Sequence, residues 1–324
     1  MLPYCTSNGS LSFSPTGDIP AGKSGPNVLI GIVYLVHGFI GIPLSGFVLW
    51  TFCRPAQIQH TCYKLMAFVT VLDILNLVNA CVFAGFFSLL GITHCDSGMF
   101  VVYVASWQFG VWFLYSMACQ ILAFNRLVVF INKDFADFLF NGKRVFLWLL
   151  LPIAYAVALS VAVPDPFYFY NPYEGSYYFL RTSGQVNQVQ IYANFFKMGF
   201  VTLCSLILIF LIYLHKRNSG AQGSVSSFQV KVTLQTLVIA VLYDLCACFY
   251  MAESYLPLPE SMQRISGTLG GIVWIYLHVG TAVIYITLNK AVSTEFLRLF
   301  RARKVNIAPF SPVPMRQNFY SQTQ

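Results

Sequence analysis

The sequence predicts an all-α membrane protein: a seven-transmembrane helix bundle with its N-terminus outside and a short amphipathic helix after the seventh span. Three observations carry that prediction. Of 324 residues, 57% are hydrophobic and only 9% are charged, whereas a soluble domain is about a quarter charged. Seven segments reach the roughly 20 mostly apolar residues that cross a hydrocarbon core. Lysine and arginine fall on alternate connections, as they do when one side is cytoplasmic.

In chain order, residues 1–26 are polar and read as an extracellular segment. They lack the apolar stretch of a cleavable signal, so the first apolar segment is expected to direct insertion. The predicted spans run Asn27–Phe52, Leu65–Ile92, Met99–Phe124, Val145–Val163, Ile191–Leu214, Val232–Met251 and Ile265–Leu288, which makes residues 27–288 the membrane domain. They are far longer than barrel strands and show no period-two alternation. Residues 289–304 follow as an amphipathic helix on the inner leaflet, with Phe296, Leu299 and Phe300 on one face and arginines elsewhere. Residues 305–324 are expected to form a disordered cytoplasmic tail.

Arg54, Lys64, Lys133, Lys143, Arg144, Lys216, Arg217 and Lys231 lie on one side, together with the basic residues after the last span. The other side holds only Lys23, Arg181 and Arg264. The first side is therefore cytoplasmic. The sequon Asn8-Gly9-Ser10 falls on the outer side and makes Asn8 a glycosylation candidate. The net charge of +8 reads as an orientation signal and not as a nucleic-acid footprint. Cys5 and Cys95 are the two cysteines on the oxidising side and form a candidate disulfide. Cys53 and Cys62 flank the inner membrane surface, where palmitoylation is the candidate modification.

Seven spans fit receptors, transporters, retinal pumps and intramembrane proteases. The seventh span lacks the internal lysine of a retinal protein; Lys290 comes at its end, and Lys197 lies in the fifth. Asp73 and Asp244 are both within spans, but the Gly-x-Gly-Asp partner motif of an aspartyl protease is absent, as is a HExxH zinc motif. No catalytic residue, metal ligand or cofactor is called. Lys197 and Asp244 lie at similar depth in the fifth and sixth spans, where an ion pair is expected. With His278 of the seventh span they are candidates for a ligand pocket, against the plainer reading of structural groups. Asp73 has Asn76 and Asn79 three and six residues on, on one helical face. A charge there costs about 2.5–3.5 kcal/mol on insertion scales, so the face turns into the bundle. The outer loop PDPFYFYNPYEGSYYF is either an interfacial aromatic belt or a lid over a pocket.

Arg126 closes the third predicted span in LAFNRLVVF. Rhodopsin-like receptors carry an acid-Arg-aromatic triplet there; here it is Asn125-Arg126-Leu127. Asp73 falls near the buried aspartate of those receptors, Ser45 near their first-span asparagine, and Tyr285 near the inner end of the seventh span without the usual Asn-Pro. The outer loop has no cysteine for the usual bond to the third helix, and the sixth span lacks the usual proline. The runs LAFNRLVVF, FLFNGKRVFLWLLLPIAYA, VTLQTLVIAVLYD and IYITLNK resemble the nematode serpentine chemoreceptors of class T, among the seven-transmembrane G-protein-coupled receptors. The resemblance spans about Asn27 to Phe300, and Asn141–Trp148 is its most specific part. It implies a chemosensory receptor in the plasma membrane, on a sensory-neuron cilium. Such a receptor binds a small molecule from outside and activates a heterotrimeric G protein through Asn125, Arg126, Asp73 and Tyr285. Without the resemblance, Arg126 reads equally as a snorkelling boundary residue. The alternative for the whole chain is a seven-span transporter or channel.

Overall fold

The computed structural model describes residues 3–6, 9, 11, 25–218, 227–255 and 260–302. Its helices, in chain order, are α1 (Val28–Phe52), α2 (Pro55–Ile58), α3 (Thr61–Leu77), α4 (Ala84–Leu90), α5 (His94–Ser97) and α6 (Met99–Ile131). They continue with α7 (Lys133–Phe140), α8 (Arg144–Ala162), α9 (Gln188–Asn218), α10 (Ser227–Tyr255), α11 (Glu260–Leu288) and α12 (Lys290–Ala302). Seven helical stretches of the described residues are long and apolar enough to cross a membrane. The second is composite: α3 passes through a π-helical stretch, Val78–Phe83, into α4. The second, third and seventh spans are the most enclosed and the fourth the least, so the polar centre of the bundle lies among α3, α6 and α11.

The third helix departs from its expected boundary. The apolar LVVFI after Arg126 continues α6 to Ile131, and Asn132 then starts α7 by accepting the Phe135 amide. Arg126 thus sits five residues, about 7 Å, inside the helix end rather than closing it. Short α7 is braced from both sides: Trp148 Nε1 of α8 donates to the Leu139 carbonyl at 3.0 Å, and Thr61 Oγ1 of α3 to that of Phe140 at 3.3 Å. After the seventh span, α12 is pinned to the base of α1. Arg54 and Glu295 form an ion pair of 2.5 Å, and Phe296 meets Phe47 edge-on.

The outer loop folds as an antiparallel hairpin, β1 (Pro166–Asn171) and β2 (Ser176–Arg181), with Tyr170 opposite Tyr177 and Phe167 opposite Leu180. Because side chains alternate along a strand, the hairpin has two apolar faces, and both are covered. Tyr168, Tyr170, Tyr177 and Phe179 pack into the bundle, where Phe109 of α6 lies 4.4 Å from the Tyr168 ring. Phe167 and Phe169 point the other way and are roofed by Tyr4 and Leu11 of the N-terminal segment. The turn needs Gly175 at φ +71°, where a Cβ would lie 2.8 Å from Ile30 Cγ2. Cys5 and Cys95 are joined in a disulfide that fastens this N-terminal roof to the short helix α5. Asn8 and the tail 303–324 lie outside the described residues. Cys53 is exposed at the end of α1, and Cys62, near the start of α3, is partly buried; both are free.

Candidate functional site

Beneath the hairpin lies a cavity of about 360 Å³ lined by Tyr34, Gln108, Tyr177, Phe179, Tyr250 and Trp274, among others. Tyr34 is locked in place, its hydroxyl donating to the Gly175 carbonyl at 2.8 Å. It also needs Gly271 opposite, where a Cβ would stand 2.0 Å from that hydroxyl. The walls are aromatic, but two polar atoms are left for an occupant: Gln108 Oε1 and Trp274 Nε1 make no hydrogen bond within the described protein. The amide of Gln108 is oriented by donating through Nε2 to Asn76 Oδ1 at 3.1 Å.

Trp274 is also the way inward. Its ring lies 4.4 Å from that of Trp112 and 5.6 Å from His278. His278 Nδ1 and Asp73 Oδ1 share a hydrogen bond of 2.7 Å, both side chains being buried. Tyr115 stands edge-on to His278 at 4.8 Å. Lys197 completes the cluster in an aromatic box, its Nζ 3.2 Å from the Tyr243 ring centre, 4.2 Å from Tyr115 and 4.7 Å from Trp112. Cation–π contacts of this kind contribute about 2 kcal/mol each when desolvated. Trp112 is fixed in turn by donating through Nε1 to Asn194 Oδ1 at 2.9 Å.

A second cavity continues from Lys197, Tyr115 and Tyr243 toward the inner side and ends among Arg126, Gln235 and Tyr285. Tyr115, Cys119, Leu122 and Arg126 are spaced three to four residues apart, so one face of α6 forms its wall. Asn125 is buried and its Oδ1 has no partner among the described residues. Arg126 donates through Nη2 to Met66 Sδ at 2.9 Å, while its Nε is unmatched. No carboxylate holds this arginine among the described residues.

The structure thus joins Asp73 to His278, places Lys197 close above the inner cavity, and puts Arg126 and Tyr285 around its lower end. It does not join Lys197 to Asp244. Asp244 Oδ2 accepts from Thr202 Oγ1 at 2.6 Å, and Lys197 Nζ has no hydrogen-bond partner among the described residues. The reason is azimuth. Successive residues turn about 100° on a helix, so Tyr243, not Asp244, meets the lysine, and Thr202 lies on another face of α9. Asp244 lines neither cavity. The face Asp73, Asn76, Asn79 is buried throughout; Asn79 Nδ2 donates to the Val104 carbonyl at 3.2 Å. Sequence reasoning missed Trp112, Tyr115 and Tyr243: the i, i+3 spacing of Trp112 and Tyr115 was visible, but not that this face meets Lys197 of another helix. It also missed Gln108, which carried no sign.

Comparisons place this geometry. The chain matches the family model of the serpentine type 7TM GPCR chemoreceptor Srt over residues 19–308. It is 26% identical over 299 residues to "Serpentine receptor class T-55" of Caenorhabditis elegans, covering 88% of this chain and 78% of that protein. Its fold is similar to that of squid rhodopsin, with a TM-score of 0.63 at 13% identity, covering 85% of this chain and 86% of that one. Seven apolar helices, a buried polar centre and the match along most of its length agree: this multi-pass membrane protein belongs to the Srt family of serpentine chemoreceptors, within the seven-transmembrane G-protein-coupled receptors.

Proposed function

We propose that this chain binds a small, mostly apolar molecule in the cavity beneath the hairpin and activates a heterotrimeric G protein at the inner face, from the plasma membrane of a sensory cell. The observation that carries the reading is the double position of Trp274. It lines the outer cavity and touches both Trp112 and His278, so an occupant that moves it disturbs the Asp73–His278 bond and the Lys197 box together. Arg126, held by Met66 and not by an acid, is the group free to turn toward the G protein, its stem lying along apolar neighbours. Asp73 and Tyr285 are read as the switch between the two ends, and Asn125 as a weaker restraint on Arg126 than an acid.

The test is a panel of small molecules applied to cells expressing the chain with a G-protein reporter. An activating compound should lose potency in Gln108→Leu and Tyr177→Ala at unchanged surface delivery. A chain that gives no response to any compound yet carries ions or solutes in proteoliposomes would refute the receptor reading in favour of a transporter or channel.

A further inference from the structure

Lys197 is a buried cation with no carboxylate within ion-pair distance among the described residues. It is 1% exposed, and its Nζ makes no hydrogen bond among the described residues. Three ring faces cradle the charge, but a ring offers no lone pair to the three N–H donors of an ammonium. The acids nearest in the bundle bond other groups and not Nζ: Asp73 Oδ1 bonds His278 Nδ1, and Asp244 Oδ2 accepts from Thr202 Oγ1 while its Oδ1 has no partner among the described residues. The inner cavity beside Lys197 is lined by a second cation, Arg126, and by no aspartate or glutamate. Its remaining wall is largely apolar, with Cys119, Leu122, Val201, Ile239 and Ala240 along its length. A site with cations, apolar walls and unmatched donors is complementary to one kind of molecule.

We infer that the inner cavity is a second ligand site, separate from the cavity beneath the hairpin, and that it takes a medium-chain carboxylate whose headgroup pairs with Lys197. The two carboxylate oxygens supply the acceptors that the protein withholds from Nζ, and the alkyl chain lies against Leu122, Val201 and Ile239. The inference does not depend on the outer cavity being the sensory site or on G-protein coupling.

Octanoate is the probe, with octan-1-ol as its uncharged counterpart, applied to the purified full chain in lipid nanodiscs and to empty nanodiscs. Octanoate should bind saturably to the filled discs about tenfold or more tighter than octan-1-ol, the factor that one charge-assisted bond in a dry site provides. Lys197→Met should erase that preference and Lys197→Arg should keep part of it. Val201→Phe, which fills the cavity without touching the charge, should weaken octanoate binding and keeps the test decisive if Lys197→Met fails to fold. Equal binding of octanoate and octan-1-ol, octanoate uptake no greater than in empty discs, or unchanged affinity in a folded Lys197→Met or Val201→Phe variant would each overturn the inference.

Discussion

At the outer end of the bundle the hairpin is tied on every side. The Tyr170 and Ser88 hydroxyls meet at 2.6 Å, Thr268 Oγ1 donates to the Glu174 carbonyl at 2.9 Å, Asn27 Nδ2 to that of Tyr173 at 2.8 Å, and Tyr4 to that of Arg181 at 2.7 Å. A disulfide locks the roof above. Buried polar atoms with no hydrogen-bond partner among the described residues occur there at Asn79, His94, Gln108 and Trp274, and from the middle of the bundle inward they are more numerous, at Ser45, Ser116, Asn125, Arg126 and Gln235 among others. Each such atom costs about 1–3 kcal/mol. The contrast teaches where this fold puts its cohesion: a disulfide and hydrogen bonds from several elements tie the outer end, and most of the unmatched buried polar atoms of the described residues lie below it. Substitutions should therefore weaken folding at one end and change signalling at the other.

The largest loss is expected at the seat of the hairpin. Phe109 packs on Phe113, Tyr168 and Phe179, so Phe109→Ala should lower stability by about 3–5 kcal/mol, read as a fall in the thermal unfolding midpoint in detergent. Cutting the roof should cost less. Cys5→Ser opens a loop closed across 90 residues and should remove about 2–4 kcal/mol; a midpoint unmoved by reductant in the wild type would make the roof ornamental.

The inner half should respond in the opposite sense. Ser116→Ala removes a hydroxyl that is fully buried and unmatched, so stability should rise by about 1 kcal/mol while agonist efficacy falls. A destabilised Ser116→Ala would show that the hydroxyl is already bonded and would erase the contrast at that position.

The smallest effect is one of pH. Burial pushes the His94 imidazole below its ordinary 6.5, against the opposing pull of the Pro3 carbonyl and Asp96. The folded chain then binds fewer protons at this site than the unfolded one, so the contribution of His94 is whole above about pH 6.5 and is lost as pH falls below it. Hydrogen exchange of the residues around Tyr4 should quicken in that window, and His94→Phe should flatten the dependence. Faster exchange on raising the pH, after correction for intrinsic rates, would reverse the sign and contradict the argument.

Much of this molecule was legible from its residues. The spans were, because a hydrocarbon core of fixed thickness allows few lengths and few charges. Cys5–Cys95 was, because the two are the only cysteines placed outside by the charge asymmetry. The hairpin was not: with both faces covered, FYFYN and SYYFLR show no polar face, and tyrosine serves a wet belt and a dry core alike. The π-helical stretch at Val78–Phe83 was not, since a shift of hydrogen-bond register leaves no mark in composition. Lys197 was found and mispaired, because a sequence gives depth along a helix better than direction around it. Asp73 and His278, drawn from the second and seventh spans, were each singled out, but nothing in a single sequence says that they touch.

The proposed role of Arg126 as the inner contact for the G protein is tested most directly by nucleotide exchange. An activating compound should drive exchange on a G protein in membranes holding the wild-type chain. Arg126→Ala should abolish that exchange while surface delivery and compound binding stay near wild type. A delivered Arg126→Ala chain that still drives exchange at the wild-type rate would make the arginine a marker of the membrane boundary and contradict the account.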